Sequence, residues 1–155
     1  MGTRGAYGFK KGKELKVTYN HFDSYPTGLG TEIWRLINNH TIEELKELYE
    51  KIVLVDEDGL MPEDIKDKDW YSFLRPTQGE PEALFDYEKT RHVMIDNKDF
   101  LEDKVFCEYS YIIDIEEGIL IYKSGKKRAR HFDLIELKKY SKEEAQKWLE
   151  KLEKS

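Results

Sequence analysis

The sequence predicts an α+β protein, with antiparallel β-sheet packed against helices, and three observations carry that expectation. Polar and apolar residues alternate near the start and again between Phe106 and Lys123, as they do in half-buried strands. Apolar residues recur at helical spacing from Leu29 to Ile52 and from Ala145 to Leu152. Two of these helical stretches are preceded by capping boxes, Thr41-Ile-Glu-Glu44 and Ser141-Lys-Glu-Glu144. The implied order is β-hairpin, helices, β-meander, helix.

Thr3 to Phe9 sets Tyr7 and Phe9 opposite Arg4 and Ala6, and Leu15, Val17 and Tyr19 alternate in the same way. Lys10 to Lys13 includes Gly12, so a hairpin is expected. Gly2, Gly5 and Gly8 recur every third residue. Glycine within a strand marks either the close approach of a backbone or ligand, or a bulge and tight packing. Leu29, Ile33, Leu36 and Ile37 then share a helical face, and Ile42, Leu45, Leu48, Tyr49 and Ile52 share a second. Asp56 to Lys68 reads as a loop or short turn, Asp69 to Arg75 as a short helix stopped by Pro76, and Gln78 to Pro81 as a turn. Glu82 to Tyr87 suggests a further helical turn, and His92 to Ile95 a short strand. Phe106–Ile115 and Ile119–Lys123 form the clearest strand pair, with His131–Leu137 as a third run before the last helix.

One domain over residues 1–155 is expected, since a chain of this length can bury a core without disulfides or metal. With 13% aromatic residues, its core leans on Tyr, Phe and Trp. The formal net charge of −6 argues against nucleic acid as a partner. The single cysteine, Cys107, excludes an internal disulfide and points to a reducing, cytoplasmic setting. No apolar run is long enough for a membrane span and no signal-peptide core is present, so no membrane partner is expected. The absence of H-x-x-x-H and C-x-x-C spacing gives no reason to expect a metal, and no cofactor is expected either.

The first thirty residues concentrate the candidate chemistry. Asn20, His21, Asp23, Ser24 and Tyr25 crowd one loop at a strand end. His21 there reads either as a general base oriented by Asp23, or as a half-exposed neighbour of a turn braced by Asp23 and Ser24. Gly28-Leu-Gly30-Thr31 offers helix-mouth amides for an anion, or Thr31 as a plain N-cap. Arg4 either pairs with Asp23 or grips an anion. The run Lys126 to His131 is either an anion-attracting patch or a solvated loop, and Cys107 is expected to be buried and inert.

Two motifs carry a resemblance. Residues 2–9 read Gly-Thr-Arg-Gly-Ala-Tyr-Gly-Phe, and residues 19–30 read Tyr-Asn-His-Phe-Asp-Ser-Tyr-Pro-Thr-Gly-Leu-Gly. This is similar to an uncharacterised family of phages, bacteria and fungi with the pattern G-T-R-G-x-x-G-F and Y-N-H-x-D-S-Y-P-x-G-L-G. The opening also resembles the N-terminal nucleophile (Ntn) hydrolases, in particular the choloylglycine-hydrolase and penicillin-acylase-like branch. There a first-strand residue attacks while its own α-amine serves as base. The resemblance implies a reduced Ntn-like architecture, with Tyr19 to Asp23 in the position of the orienting loop. Gly2 departs from that pattern because it has no side chain, and the nitrogen of Thr3 is held in a peptide bond.

The expectation is therefore a non-catalytic protein binding a small anionic or nucleotide-like ligand, with phage-type sequestering or sensing as its extension. Its pocket would be lined by Arg4, Tyr7, Asn20, His21, Asp23, Ser24 and Tyr25, with a homo-oligomer left open. Two alternatives stand beside it. One is a small amidase or phosphodiesterase using His21 and Asp23. The other is a protein–protein adaptor or inhibitor using aromatic surface at Trp70, Tyr71 and Phe73.

Overall fold

The computed structural model describes residues 2–56 and 71–155. The loop expected up to Lys68, together with Asp69 and Trp70, lies outside the described residues from position 57 onward. The fold is α+β, and its principal sheet has five strands in the order β2-β1-β5-β6-β7. β1 (Gly5–Lys11) and β2 (Glu14–Asn20) form the expected hairpin, closed by a two-residue turn in which Gly12 adopts φ +61. β5 (Tyr109–Asp114) and β6 (Ile119–Ser124) form the second antiparallel pair, and β7 (Arg130–Asp133) adds to β6.

The two hairpins join through β1 and β5, which run parallel, with Gly5 opposite Tyr109 and Phe9 opposite Ile113. The sheet is thus mixed, where local alternation suggested antiparallel strands throughout. Turn chemistry fixes pairing within a hairpin, but the direction in which two hairpins meet depends on the long crossover between them. That crossover carries α1 (Thr31–Asn39), α2 (Ile42–Lys51) and β3 (Val53–Val55), then α3 (Tyr71–Leu74), α4 (Tyr87–Thr90) and β4 (Val93–Ile95). β3 and β4 make a separate two-stranded parallel sheet.

The strand period divides the core in two. Tyr7, Phe9, Tyr111 and Ile113 face the main cluster with Ile33, Leu36, Ile37, Leu45 and Leu48 from the helices. Ala6, Val17, Cys107 and Ile112 face a smaller cluster, covered in part by Phe100 and Leu101 from the 3-10 turn Lys98–Glu102. The last helices, α5 (Leu134–Lys138) and α6 (Lys142–Lys154), complete the main core through Leu134, Leu137, Ala145 and Leu152.

Both capping boxes form. Glu44 N donates to Thr41 Oγ1 at 3.0 Å while Thr41 N donates to Glu44 Oε1 at 2.9 Å, and Ser141 and Glu144 repeat the exchange. The third strand-like run, His131–Leu137, ends as strand at Asp133. There Asp133 Oδ1 accepts from Ile135 N at 2.8 Å and starts α5 instead. Lys138 closes the other end of α1: its Nζ donates to Ile37 O at 2.9 Å and to His40 O at 2.6 Å. No helix among the described residues is long and apolar enough to cross a membrane.

Candidate functional site

The loop after β2 is built by close approach. A Cβ on Gly5 would stand 2.5 Å from Tyr109 O and 2.6 Å from Ser24 Cβ, so the bare glycine lets the loop fold back over β1. Ser24 is wholly buried there, its amide donating to Thr3 O at 3.1 Å and its carbonyl receiving the Tyr111 hydroxyl at 2.7 Å. Asn20 is buried beside it. Its Nδ2 donates to Phe22 O at 2.8 Å and Ser24 Oγ at 2.9 Å, and its Oδ1 accepts from Gly79 N at 2.9 Å. Tyr7 is 1% exposed and spends its hydroxyl on Thr77 O at 2.7 Å. Asn20 and Ser24 therefore brace the loop from inside while Tyr7 ties β1 to Thr77, and all three have their hydrogen-bonding capacity committed to the protein.

Arg4, His21, Asp23 and Tyr25 occupy the outer side. Asp23 is exposed and takes φ +53, a left-handed conformation that Asp tolerates better than most residues. The Asp23 carboxylate, by its charge and then by a hydrogen bond, holds the Tyr25 hydroxyl above the ordinary tyrosine range. His21 turns the other way: its Nδ1 lies 2.6 Å from the Tyr19 hydroxyl and its ring meets Phe22 edge-on at 4.3 Å. No hydrogen bond joins His21 to Asp23 among the described residues, so the acid–base pair of the hydrolase alternative is not assembled. Arg4 stacks over the Phe106 ring at 5.3 Å and makes no ion pair with Asp23 or with any other described residue.

The mouth of the first helix is already satisfied. Pro26–Gly30 forms a π-helical turn that runs directly into α1, and Thr31 sits inside the helical path, donating Oγ1 to Thr27 O at 3.0 Å. Leu29 N donates to Asp23 O, Gly28 N and Gly30 N donate to Tyr25 O, and Thr27 N and Oγ1 both donate to Glu153 Oε1. Thr31 is thus not the N-cap, and a carboxylate from α6 takes the place that an external anion would need.

Three hollows surround the loop. The first, about 580 Å³, runs past Asp23 and Thr27 to Glu32 and Arg35, which pair with each other at 2.7 Å. The second, about 470 Å³, is lined by Gly2, Arg4, His21, Phe22, Val105, Phe106 and Glu108. The third is a cleft of about 620 Å³ between the edge of β2 and the 71–100 region, and it includes Tyr19, His21, Arg75, Asn97 and Phe100. His21 and Phe22 line both the second and the third. Of the seven residues singled out by sequence, Arg4 and His21 share the second hollow, whereas Asn20 and Asp23 line the first.

Phe106, Phe22, Arg75, Asn97 and Phe100 were not singled out. They lie on separate segments, and no local spacing links them. Elsewhere, Cys107 is buried, and burial followed by the nearby Asp103 charge pushes its thiol up to about 11, away from nucleophilic use. The basic run is partly tied down, with Lys127 Nζ on Ser155 O at 2.6 Å and Arg130 against Ser155 Oγ at 3.3 Å. Phe73 is half-buried, with the Arg91 guanidinium 5.4 Å from its ring centre. No group of three or more His, Cys, Asp or Glu placed to hold a metal occurs among the described residues.

The fold and site define an α+β protein with a braced polar loop walled by several solvent-open hollows. No protein-family model, curated protein or solved structure matches this chain.

Proposed function

We propose that this is a non-catalytic binding protein for a small anionic or nucleotide-like ligand, seated in the hollow between Arg4 and His21. The observation that carries the reading is the state of Arg4. Its guanidinium lies over the Phe106 ring, 5.3 Å from its centre, and carries no ion pair among the described residues, so its N–H groups remain available for a carboxylate or phosphate. Phe22 and Phe106, 63% and 52% exposed, offer aromatic faces for a planar group beside that anion. Binding is preferred to hydrolysis because Gly2 has no side chain and His21 has the Tyr19 hydroxyl, not Asp23, as its partner.

The likeness to Ntn hydrolases enters this proposal only as a reduced scaffold without its nucleophile. A phage-type role in sequestering or sensing a metabolite in the cytoplasm is its biological extension. Calorimetric titration with AMP, ADP and inorganic phosphate tests it. At least one is expected to bind saturably and to lose tenfold or more in affinity in Arg4→Gln, with the melting temperature nearly unchanged. Absence of binding by all three, or equal binding by Arg4→Gln, overturns the reading.

A further inference from the structure

The cleft on the far side of His21 has a composition unlike that of its surroundings. The chain carries 32 acidic residues and a net charge of −6, yet among the described residues no carboxylate lines this cleft. The neighbouring hollows each include at least one: Asp23 and Glu32 in the first, Glu108 in the second, Glu143 and Glu150 in the groove between α1 and α6. A wall whose described residues are free of acid lowers the repulsion that an anion meets elsewhere on the surface.

Donors face this cleft. Arg75 is exposed and its guanidinium has no ion pair or hydrogen bond among the described residues. Asn97 has a fixed orientation: its Oδ1 accepts from Tyr19 N at 3.0 Å and from Thr18 Oγ1 at 3.4 Å, which leaves the Nδ2 hydrogens as its free side. Phe100, packed edge-on against Tyr19 at 5.0 Å, and the exposed Phe22 supply aromatic surface, with Leu74 and Ile95 as further apolar wall. The volume of about 620 Å³ lies within the range of small-molecule sites.

The backbone excludes the chief alternative occupant, a peptide added as a strand to the edge of β2. The outward groups from Val17 O to His21 N are already taken. Asn97 N donates to Val17 O at 2.8 Å, Asn97 Oδ1 accepts from Tyr19 N, Gln78 Nε2 donates to Tyr19 O at 2.8 Å, and Gln78 Oε1 accepts from His21 N at 3.2 Å. Without open ladder groups, strand addition has no purchase.

We propose that this cleft is a second ligand site, parted from the Arg4 hollow by His21 and Phe22, which line both, and taking a small planar monoanion of the aromatic carboxylate class. The acid group meets Arg75 and the Asn97 amide, and the ring packs against Phe100 and Phe22. One arginine and one amide suit a single negative charge, whereas a polyphosphate calls for several cations.

Salicylate, with neutral salicylamide as its control, provides the test in amide-detected NMR titrations of the whole chain. Salicylate is expected to shift the Asn97 side-chain amide and the Arg75 Nε–H saturably, and salicylamide to bind at least tenfold more weakly. Arg75→Gln and Phe100→Ala should each weaken salicylate tenfold or more, with spectra otherwise native, while Arg4→Gln leaves it within twofold. The proposal is overturned by the absence of saturable shifts in the cleft, by equal binding of the amide, or by a loss that follows Arg4 instead of Arg75. Its failure leaves nucleotide or phosphate binding at Arg4 standing, because that reading has its own probes and its own variant.

Discussion

The side-chain amide of Gln78 lies against Tyr19 as a neighbouring strand would, its Nε2 donating to the Tyr19 carbonyl at 2.8 Å while its Oε1 accepts the next outward amide, His21 N, at 3.2 Å. Together with Asn97 it finishes the open edge of the main sheet using groups far away in sequence. An edge sealed in this way is protected from pairing with another chain.

Gln78→Ala should therefore free the outer amide of His21, and Asn97→Ala the amide of Tyr19. Hydrogen-exchange measurements should find protection lost selectively at those two positions, with a stability cost of about 1 kcal/mol for each variant, as for a typical hydrogen bond. Unchanged exchange at both amides would show that the two side chains decorate the edge without closing it.

Gly5 and Gly8 are places where backbones or side chains come too close for a Cβ. At Gly5 the added carbon would sit 2.5 Å from Tyr109 O, and at Gly8 it would press on Lys16 O and Val17 Cα. Each Gly→Ala change should cost about 3 kcal/mol, the upper part of the usual overpacking range, because the nearest contact at each is backbone, which resists relaxation. Gly118→Ala is the comparison: its φ of +68 is strained for alanine, but nothing lies within 4 Å, so about 1 kcal/mol is expected. Urea denaturation of the three variants checks the ranking, which fails if Gly118→Ala is the worst.

Local signals carried much of this fold into the sequence. The Thr41 and Ser141 capping boxes and the Gly12 turn each depend on contacts within four residues, and those contacts form as expected. Long-range geometry is another matter. The parallel join of Gly5 with Tyr109 depends on a crossover whose course no short window encodes. The same holds at the site. Asn20 and Ser24 look like ligand-facing polar residues, yet the loop folds inward over Gly5 and turns both into bracing. Arg75, Asn97 and Phe100 meet only because the 71–100 region lies across the edge of β2, so none of them stands out when its own neighbours are read.

Lys138 should behave as a helix cap at a distance. Its ammonium reaches Ile37 O, Asn38 O and His40 O, three carbonyls at the end of α1, from α5. Lys138→Met keeps most of the apolar stem and deletes the charge, and is expected to cost about 1–2 kcal/mol. The amides of the last turn of α1 should lose exchange protection before those of α6. An equal loss in both helices would point to general loosening.

Buried tyrosines set an alkaline limit on stability. Tyr7 donates to Thr77 O and Tyr111 to Ser24 O, each at 2.7 Å inside the core, and burial is the chief cause pushing both hydroxyls above the ordinary range. Tyr122 is pushed up to about 12 by the same cause. A folded pKa above the unfolded value, about 10, means that the stabilisation is complete below that pH. As pH rises further, the unfolded chain releases a proton that the native core retains, so stability falls. The loss is roughly 1.4 kcal/mol for each such tyrosine per pH unit. Urea midpoints measured upward from about pH 9 at fixed ionic strength should fall steeply beyond about pH 10. Tyr7→Phe, though less stable near neutrality because Thr77 O loses its donor, should show a shallower alkaline slope by one proton. An unchanged slope would mean that Tyr7 ionises as readily in the folded protein as in the unfolded chain.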